Sequence, residues 1–396
     1  MTARPSSGIS RTPPIGRGFT FFADTDGANV LKLTVADAVS EGPPDYATII
    51  ATTPPVHLTG GDPSENAAES EASMTRLRNL LIYTASVRDA TNNANYSNVQ
   101  IRQISDIAPL GNPVVLLPPG ATTTAHVFRT VEGHPAISSD GTMVVYTSDM
   151  ASPGVGGSDF EVVGAAVNDL THPFWVTQNT SFDTQPDVQC YTPQVCVVVY
   201  VNNADPAGTQ IFSATYTNVG FGFSESGRAQ LTSGATDHFS PRLSTDAQWV
   251  VYVARDPVEG DLELYRTLAD GSQAVPERLT DNQVDDEQPE PDLDASVIVF
   301  RRANVVYALH TDGSPLVQLS PNLLRGNHPS IAANGTLVAF VGETDLGTDL
   351  FSVRLDGSGL TQLTTDGTVS QPEVAFDGSR ILFRSARDGD HDFYLR

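Results

Sequence analysis

The sequence predicts an all-β fold assembled from repeated four-stranded antiparallel units. Three observations predict it. Of 396 residues, 39% are hydrophobic and only 17% charged, with 32 Gly and 27 Pro. Such a chain suits short strands joined by turns better than helices, which favour Ala, Leu, Glu, Lys and Arg. Next, a strand–turn–strand string recurs. Residues 133–148 read GHPAISSDGTMVVYTS, 239–254 read FSPRLSTDAQWVVYVA, 327–341 read NHPSIAANGTLVAFV and 370–385 read SQPEVAFDGSRILFRS. Finally, a strand, an Asp-Gly-Ser turn and a strand ending in Leu-Thr or Leu-Ser recur at 264–280, 306–320 and 350–364. Four short strands in each of several units spaced roughly 40–55 residues apart is the pattern of a propeller blade. The expected architecture is therefore a β-propeller of about eight blades, with seven as the alternative.

Taken in chain order, residues 1–18 form an N-terminal segment and 19–396 a single domain. Its units lie near 19–59, 71–117, 134–178, 185–232, 240–280, 288–320, 328–364 and 371–396. The first rests on 19–35, FTFFADTDGANVLKLTV, which parallels 381–395, ILFRSARDGDHDFYL. The second aligns Tyr83 with Tyr146 but lacks the anchoring proline and the Asp-Gly turn. The remaining units are anchored by Pro135, Pro186, Pro241, Pro289, Pro329 and Pro372. Turns such as Asp140-Gly141, Asn334-Gly335 and Asp377-Gly378 supply the positive φ of a tight hairpin. The run after each turn is continuously apolar, as expected of a strand buried on both faces. Its aromatics are Phe22, Tyr83, Tyr146, Tyr200, Tyr252, Phe300, Phe340 and Phe383. The last unit ends at Arg396 without a Leu-Thr strand, which leaves a sheet edge open. The expected remedy is an outer strand supplied from within residues 1–14.

These strings resemble the TolB-like, or WD40-like Asp-repeat (PD40), β-propeller family. Residues 138–148, 349–364 and 392–394 carry the resemblance best; it covers 133 to the C-terminus and extends more weakly to 19. It implies a propeller fold and hosts for many unrelated activities. Oligogalacturonate lyases have similar repeats, and that likeness implies His and Gln around a metal in a central channel.

The candidate binding residues precede the anchoring prolines: His134, Gln185, Gln288, His328 and Gln371, with Ser240 at the same position and Glu71 in the second unit. On innermost strands they would face the channel mouth, where they bind a ligand or satisfy backbone groups. Acidic loops at Asp24–Asp26, Glu343–Asp345 with Asp349, and Asp388, Asp390 and Asp392 are weak candidates for Ca²⁺; the alternative is that they bond turn amides. The acidic run 281–294 reads as a solvated connection. Cys190 and Cys196 flank a hairpin turn and are expected to form a disulfide.

Formal charge is −25, which argues against a nucleic-acid partner and against anionic membrane surfaces. No run of 18 apolar residues exists for membrane insertion. No P-loop, G-x-G-x-x-G after a strand, H-E-x-x-H or complete G-x-S-x-G is present. The expected role is non-catalytic, a binding or scaffold propeller offering a loop face or channel mouth to a protein or glycan, monomeric and without cofactor. The alternatives are a metal-assisted polysaccharide lyase or hydrolase using Ca or Mn, or a propeller module of a larger protein. The N-terminus shows no signal-peptide core. The resemblance and the paired cysteines favour a periplasmic or extracellular location, with the cytoplasm as the alternative.

Overall fold

A computed structural model of the chain describes residues 10–11, 19–20, 55–59, 69–75, 79–89, 94–105, 109–119, 132–149, 159–204, 208–220, 222–389 and 391–396. They form seven four-stranded antiparallel sheets and one small two-stranded sheet that pairs Ser10–Arg11 with Phe19–Thr20. The architecture is a seven-bladed β-propeller. Blade 1 spans Glu69–Met74, Leu80–Asp89, Ala94–Ile104 and Pro109–Val115. Blades 2 to 6 begin with the innermost strands Glu132–Ile137, Asp183–Thr192, His238–Leu243, Asp286–Pro291 and Asn327–Ile331. Blade 7 comprises Ser370–Val374, Ile381–Ser385 and Asp392–Leu395, and its outer strand is Val56–His57.

That outer strand corrects two expectations. The ring is closed by Val56–His57, paired to Leu395 and Tyr394, and not by a segment within 1–14. The end of the unit expected at 19–59 belongs to blade 7, and the described residues form seven blades rather than eight; Phe22 and the Asp24–Asp26 loop lie outside the described residues. The physical reason is a hydroxyl latch. In blade 6 the Thr364 Oγ1 accepts from Leu350 N at 2.9 Å and donates to Asp349 at 3.0 Å. Thr177, Thr232 and Thr280 accept equivalent amides in blades 2 to 4, and Ser320 does so in blade 5. Leu58-Thr59 is the same pair in blade 7: Thr59 Oγ1 accepts from Phe393 N at 2.8 Å and lies 3.5 Å from Asp392.

The core is distributed between blades. Seven hydrophobic clusters fill the interfaces between successive blades. The seven aromatics from Tyr83 to Phe383 are all buried, at the middle of second strands such as Met143–Ser148, which is buried along its whole length. The interface between blades 7 and 1 gathers Leu58, Phe393, Leu395, Leu81 and Tyr83, so ring closure and core formation there are one event.

Much of the negative charge is turn chemistry. Asp270, Asp312 and Asp356 each accept the amide of the Ser two residues on, at 2.9 Å. Those serines hold the three carboxyls below the usual carboxylate range. The acidic run 281–294 contains the innermost strand of blade 5 and is not simply a connection: Asp286 is fully buried and bonded twice by Arg302, at 2.6 and 2.7 Å.

Cys190 and Cys196 face each other across the innermost hairpin of blade 3 and are joined by a disulfide. The closed loop is short, so its contribution is about 2 kcal/mol in the chain-entropy view. Replacing both by Ala is expected to lower the melting temperature by a few degrees with the circular dichroism spectrum unchanged. An unchanged melting temperature would show that the bond adds nothing.

Candidate functional site

Each innermost strand carries a β-bulge at the same place. The register shifts between Gly133 and Ala136, Thr184 and Asp187, Phe239 and Arg242, Glu287 and Glu290, Asn327 and Ser330, Ser370 and Glu373, and Ser70 and Ala72. A bulge leaves one residue without a ladder partner, and proline, which has no N–H, is tolerated there. The residue before the proline, or before Ala72 in blade 1, takes the left-handed conformation. Glu71, His134, Gln185, Ser240, Gln288, His328 and Gln371 have φ between 46° and 55°. No glycine occupies any of these seven positions, although the conformation disfavours side chains. All seven line one cavity of about 490 Å³ along the ring axis.

The candidate residues named from sequence are thus gathered at one site, and their side chains have defined tasks. Gln371 Oε1 accepts from Glu71 N at 3.2 Å, Glu71 Oε2 from His134 N at 2.7 Å, Gln185 Oε1 from Ser240 N at 2.7 Å and Gln288 Oε1 from His328 N at 2.9 Å. Each bond runs from a lip residue of one blade to the corresponding amide of the next. Four of the seven lip residues are thus stitched to the next blade, satisfying backbone groups while surrounding the cavity. Among the described residues no three His, Cys, Asp or Glu side chains come together as a metal-holding group. Burial, aided by Arg301, holds the His328 imidazole below its usual pKa.

A second ring, missed from sequence, lies two residues further along each strand: Ser73, Ala136, Asp187, Arg242, Glu290, Ser330 and Glu373. Ser330 Oγ, Asp187 Oδ2 and Glu373 Oε1 accept the next blade's Val374, Leu243 and Met74 amides at 2.9, 2.8 and 2.9 Å. Arg242 Nε lies 3.4 Å from Glu290 Oε2. Burial pushes the Glu290 carboxyl up to about 7, against the pull of Arg242. Burial also takes Glu373 to about 8, with Glu290 and Asp187 adding to it. Burial works against the Arg242 charge, yet Glu290, Asp187, Glu373 and Glu71 overcome it and raise the pKa of the guanidinium. These groups lie deep in the toroid but keep contact with water, the Arg242 side chain being 49% exposed.

The titration has a sign. A carboxyl raised in the fold contributes stability present below its ordinary pKa and lost as pH climbs through the folded value. For Glu373 that window runs from the ordinary 4.5 to about 8. Glu373→Gln, which keeps an acceptor for Met74 N, is expected to gain melting temperature relative to the parent as pH rises from 5 to 8. A difference that stays constant across that range would contradict the placement.

The acidic loop candidates are occupied by the fold. Asp392 Oδ2 meets His57 Nε2 at 2.9 Å, Asp388 Oδ2 accepts from Tyr394 Oη at 2.7 Å, and His57 stacks on Tyr394 at 4.7 Å. Asp390 lies outside the described residues. Asp349 accepts Gly367 N at 3.1 Å and three side chains, and Glu343 pairs with Arg325 at 3.4 Å. The loops that carry these acids leave the second strands at the lip end of the toroid. Exposed Phe182, Val258, Val284 and Leu346 lie in inter-strand loops of that end, in different sectors of the ring.

No protein-family model and no curated protein matches the sequence. Solved structures match it at the level of the fold. Acylaminoacyl peptidase from Pyrococcus horikoshii matches at a TM-score of 0.57 and 12% identity, over 84% of this chain and 52% of that one. Oligogalacturonate lyase from Vibrio parahaemolyticus matches at 0.53 and 12%, over 98% and 97%. TolB from Acinetobacter baumannii matches at 0.47 and 15%, over 74% and 65%. The chain spans about half the length of the peptidase. A β-propeller, the fold implied by the TolB-like resemblance, is the fold observed; identities this low speak for the fold alone.

Proposed function

We propose that this protein is a non-catalytic binding propeller and that the mouth of its central channel is the ligand site. The observation that carries the reading is the lip itself. Seven side chains are held in a strained backbone conformation around one cavity, and four of them are tied to the neighbouring blade. Strain of this kind persists where the surrounding structure over-determines it, and it concentrates at ligand clamps. Acceptors already spent on amides are poorly placed to serve as a first metal shell, which favours binding over the metal-assisted lyase or hydrolase reading. The partner is a protein segment or glycan that enters from the lip face. The disulfide supports an extracytoplasmic location, since such bonds persist in oxidising compartments.

The test is a ligand screen by saturation-transfer NMR against short peptides and oligosaccharides. Hits are then measured on Ser73→Trp, which fills the cavity from a partly buried lining position. The reading expects hits whose affinity falls at least tenfold in Ser73→Trp while the melting temperature holds. Hits unaffected by the plug would move the site to the outer surface and overturn the proposal.

A further inference from the structure

The charged positions of the second ring are departures from the repeat. Three blades place small residues there, Ser73, Ala136 and Ser330, and the bulge closes around them without difficulty. Four blades place Asp187, Arg242, Glu290 and Glu373 instead. The fold's own needs account for only part of their bonding capacity. Asp187 Oδ1 accepts from Val188 N and Oδ2 from Leu243 N. Glu373 Oε1 accepts from Met74 N. Among the described residues Glu290 makes no hydrogen bond to the next blade, and it pairs with Arg242.

We infer that this ring, with Glu71 above it, is the recognition element of the channel and that it takes an organic cation, a guanidinium or primary ammonium group. The inference rests on the channel being the ligand site and names the chemistry of that ligand. With its carboxylates ionised, the lining carries four negative charges, Glu71, Asp187, Glu290 and Glu373, against one positive, Arg242. The other titratable groups on the lining are His134 and His328. The channel already holds one guanidinium, that of Arg242, with its Nε 3.4 Å from Glu290 Oε2. Once Glu290 has answered Arg242, Glu71, Asp187 and Glu373 remain in excess as charges; each accepts one or two amides, which does not neutralise it, and Glu71 Oε1 also lies 3.5 Å from His134 Nε2. An anionic ligand would meet that excess in a confined space where charge is weakly screened. A cation replaces the protons that burial, with the neighbouring carboxylates adding to it, keeps on Glu290 and Glu373, so binding releases protons and strengthens as pH rises.

The test is isothermal titration of the whole chain with three probes. They are acetyl-Gly-Arg-Gly-amide, its citrulline isostere, which keeps shape but not charge, and agmatine. The expected result is that the arginine peptide or agmatine binds and the citrulline peptide binds at least tenfold more weakly. Affinity should rise several-fold from pH 5.5 to 8.5 and fall at least tenfold in the Glu290→Gln, Glu373→Gln double variant, whose melting temperature reports its folding. Binding of agmatine alone points to a free amine as the source; binding of the peptide alone points to a protein side chain. Absence of binding by both cations, or equal binding of the citrulline peptide, overturns the inference. A neutral or acidic ligand displaced by Ser73→Trp would overturn it too, while leaving the channel as the ligand site.

Discussion

Leu58→Asp is expected to open the ring. Leu58 is wholly buried among residues of blades 7 and 1, and its amide donates to Phe393 O at 2.8 Å. Truncating a buried leucine costs about 2–5 kcal/mol, and placing a carboxylate in the same apolar site adds its desolvation. A native domain has only about 5–15 kcal/mol to lose. Leu58→Ala is therefore expected to fold with a lowered urea midpoint. Leu58→Asp is expected to lose cooperative unfolding or to expose the edge of Asp392–Leu395, seen as concentration-dependent association. His57→Ala, which removes the contact to Asp392 and the stacking on Tyr394, should fall between the parent and Leu58→Ala. A Leu58→Asp chain with the parent's midpoint would show that Val56–His57 does not close the ring.

Asp349→Ala is the second large effect. The carboxylate is fully buried and accepts from Thr344 Oγ1, Thr364 Oγ1, Gly367 N and Gln362 Nε2 at 3.0–3.2 Å. Removing it leaves several donors unsatisfied, each costing about 1–3 kcal/mol when buried. A loss of about 3 kcal/mol or more is expected by urea denaturation. Asp349→Asn, which keeps an acceptor on one side, should lose less, and Thr364→Val should lose about 1–2 kcal/mol. If Asp349→Ala cost under about 0.5 kcal/mol, within the range of an ordinary surface change, the latch would not be the device that fixes the outer strands.

The repeat was legible because its physical causes are local. A proline at a bulge, an Asp-Gly turn, a doubly buried strand and a closing Leu-Thr each leave a trace within a few residues. The blade count was not, because ring closure pairs residues more than 330 positions apart. The trace was nevertheless there: Leu58-Thr59 is the missing closing pair of blade 7. The likeness of 19–35 to 381–395 suggests a whole extra unit instead. The lip was found from its position before the prolines. Its role as a set of stitches to neighbouring amides was not, since that needs the seven left-handed residues in a ring. The second ring escaped because a charged residue two places after the lip looks like an exposed strand position. Only comparison across blades, with serine or alanine in three and charge in four, marks it out.

In the proposed complex, ligands enter at the lip and rest on the second ring. Amide hydrogen exchange, read by mass spectrometry on the chain with and without saturating acetyl-Gly-Arg-Gly-amide, tests it most directly. Added protection should concentrate in His238–Leu243, Asp286–Pro291 and Ser370–Val374, with little change in the exposed outer strand Phe223–Gln230. Protection confined to outer strands, with these three innermost strands unchanged, would contradict it.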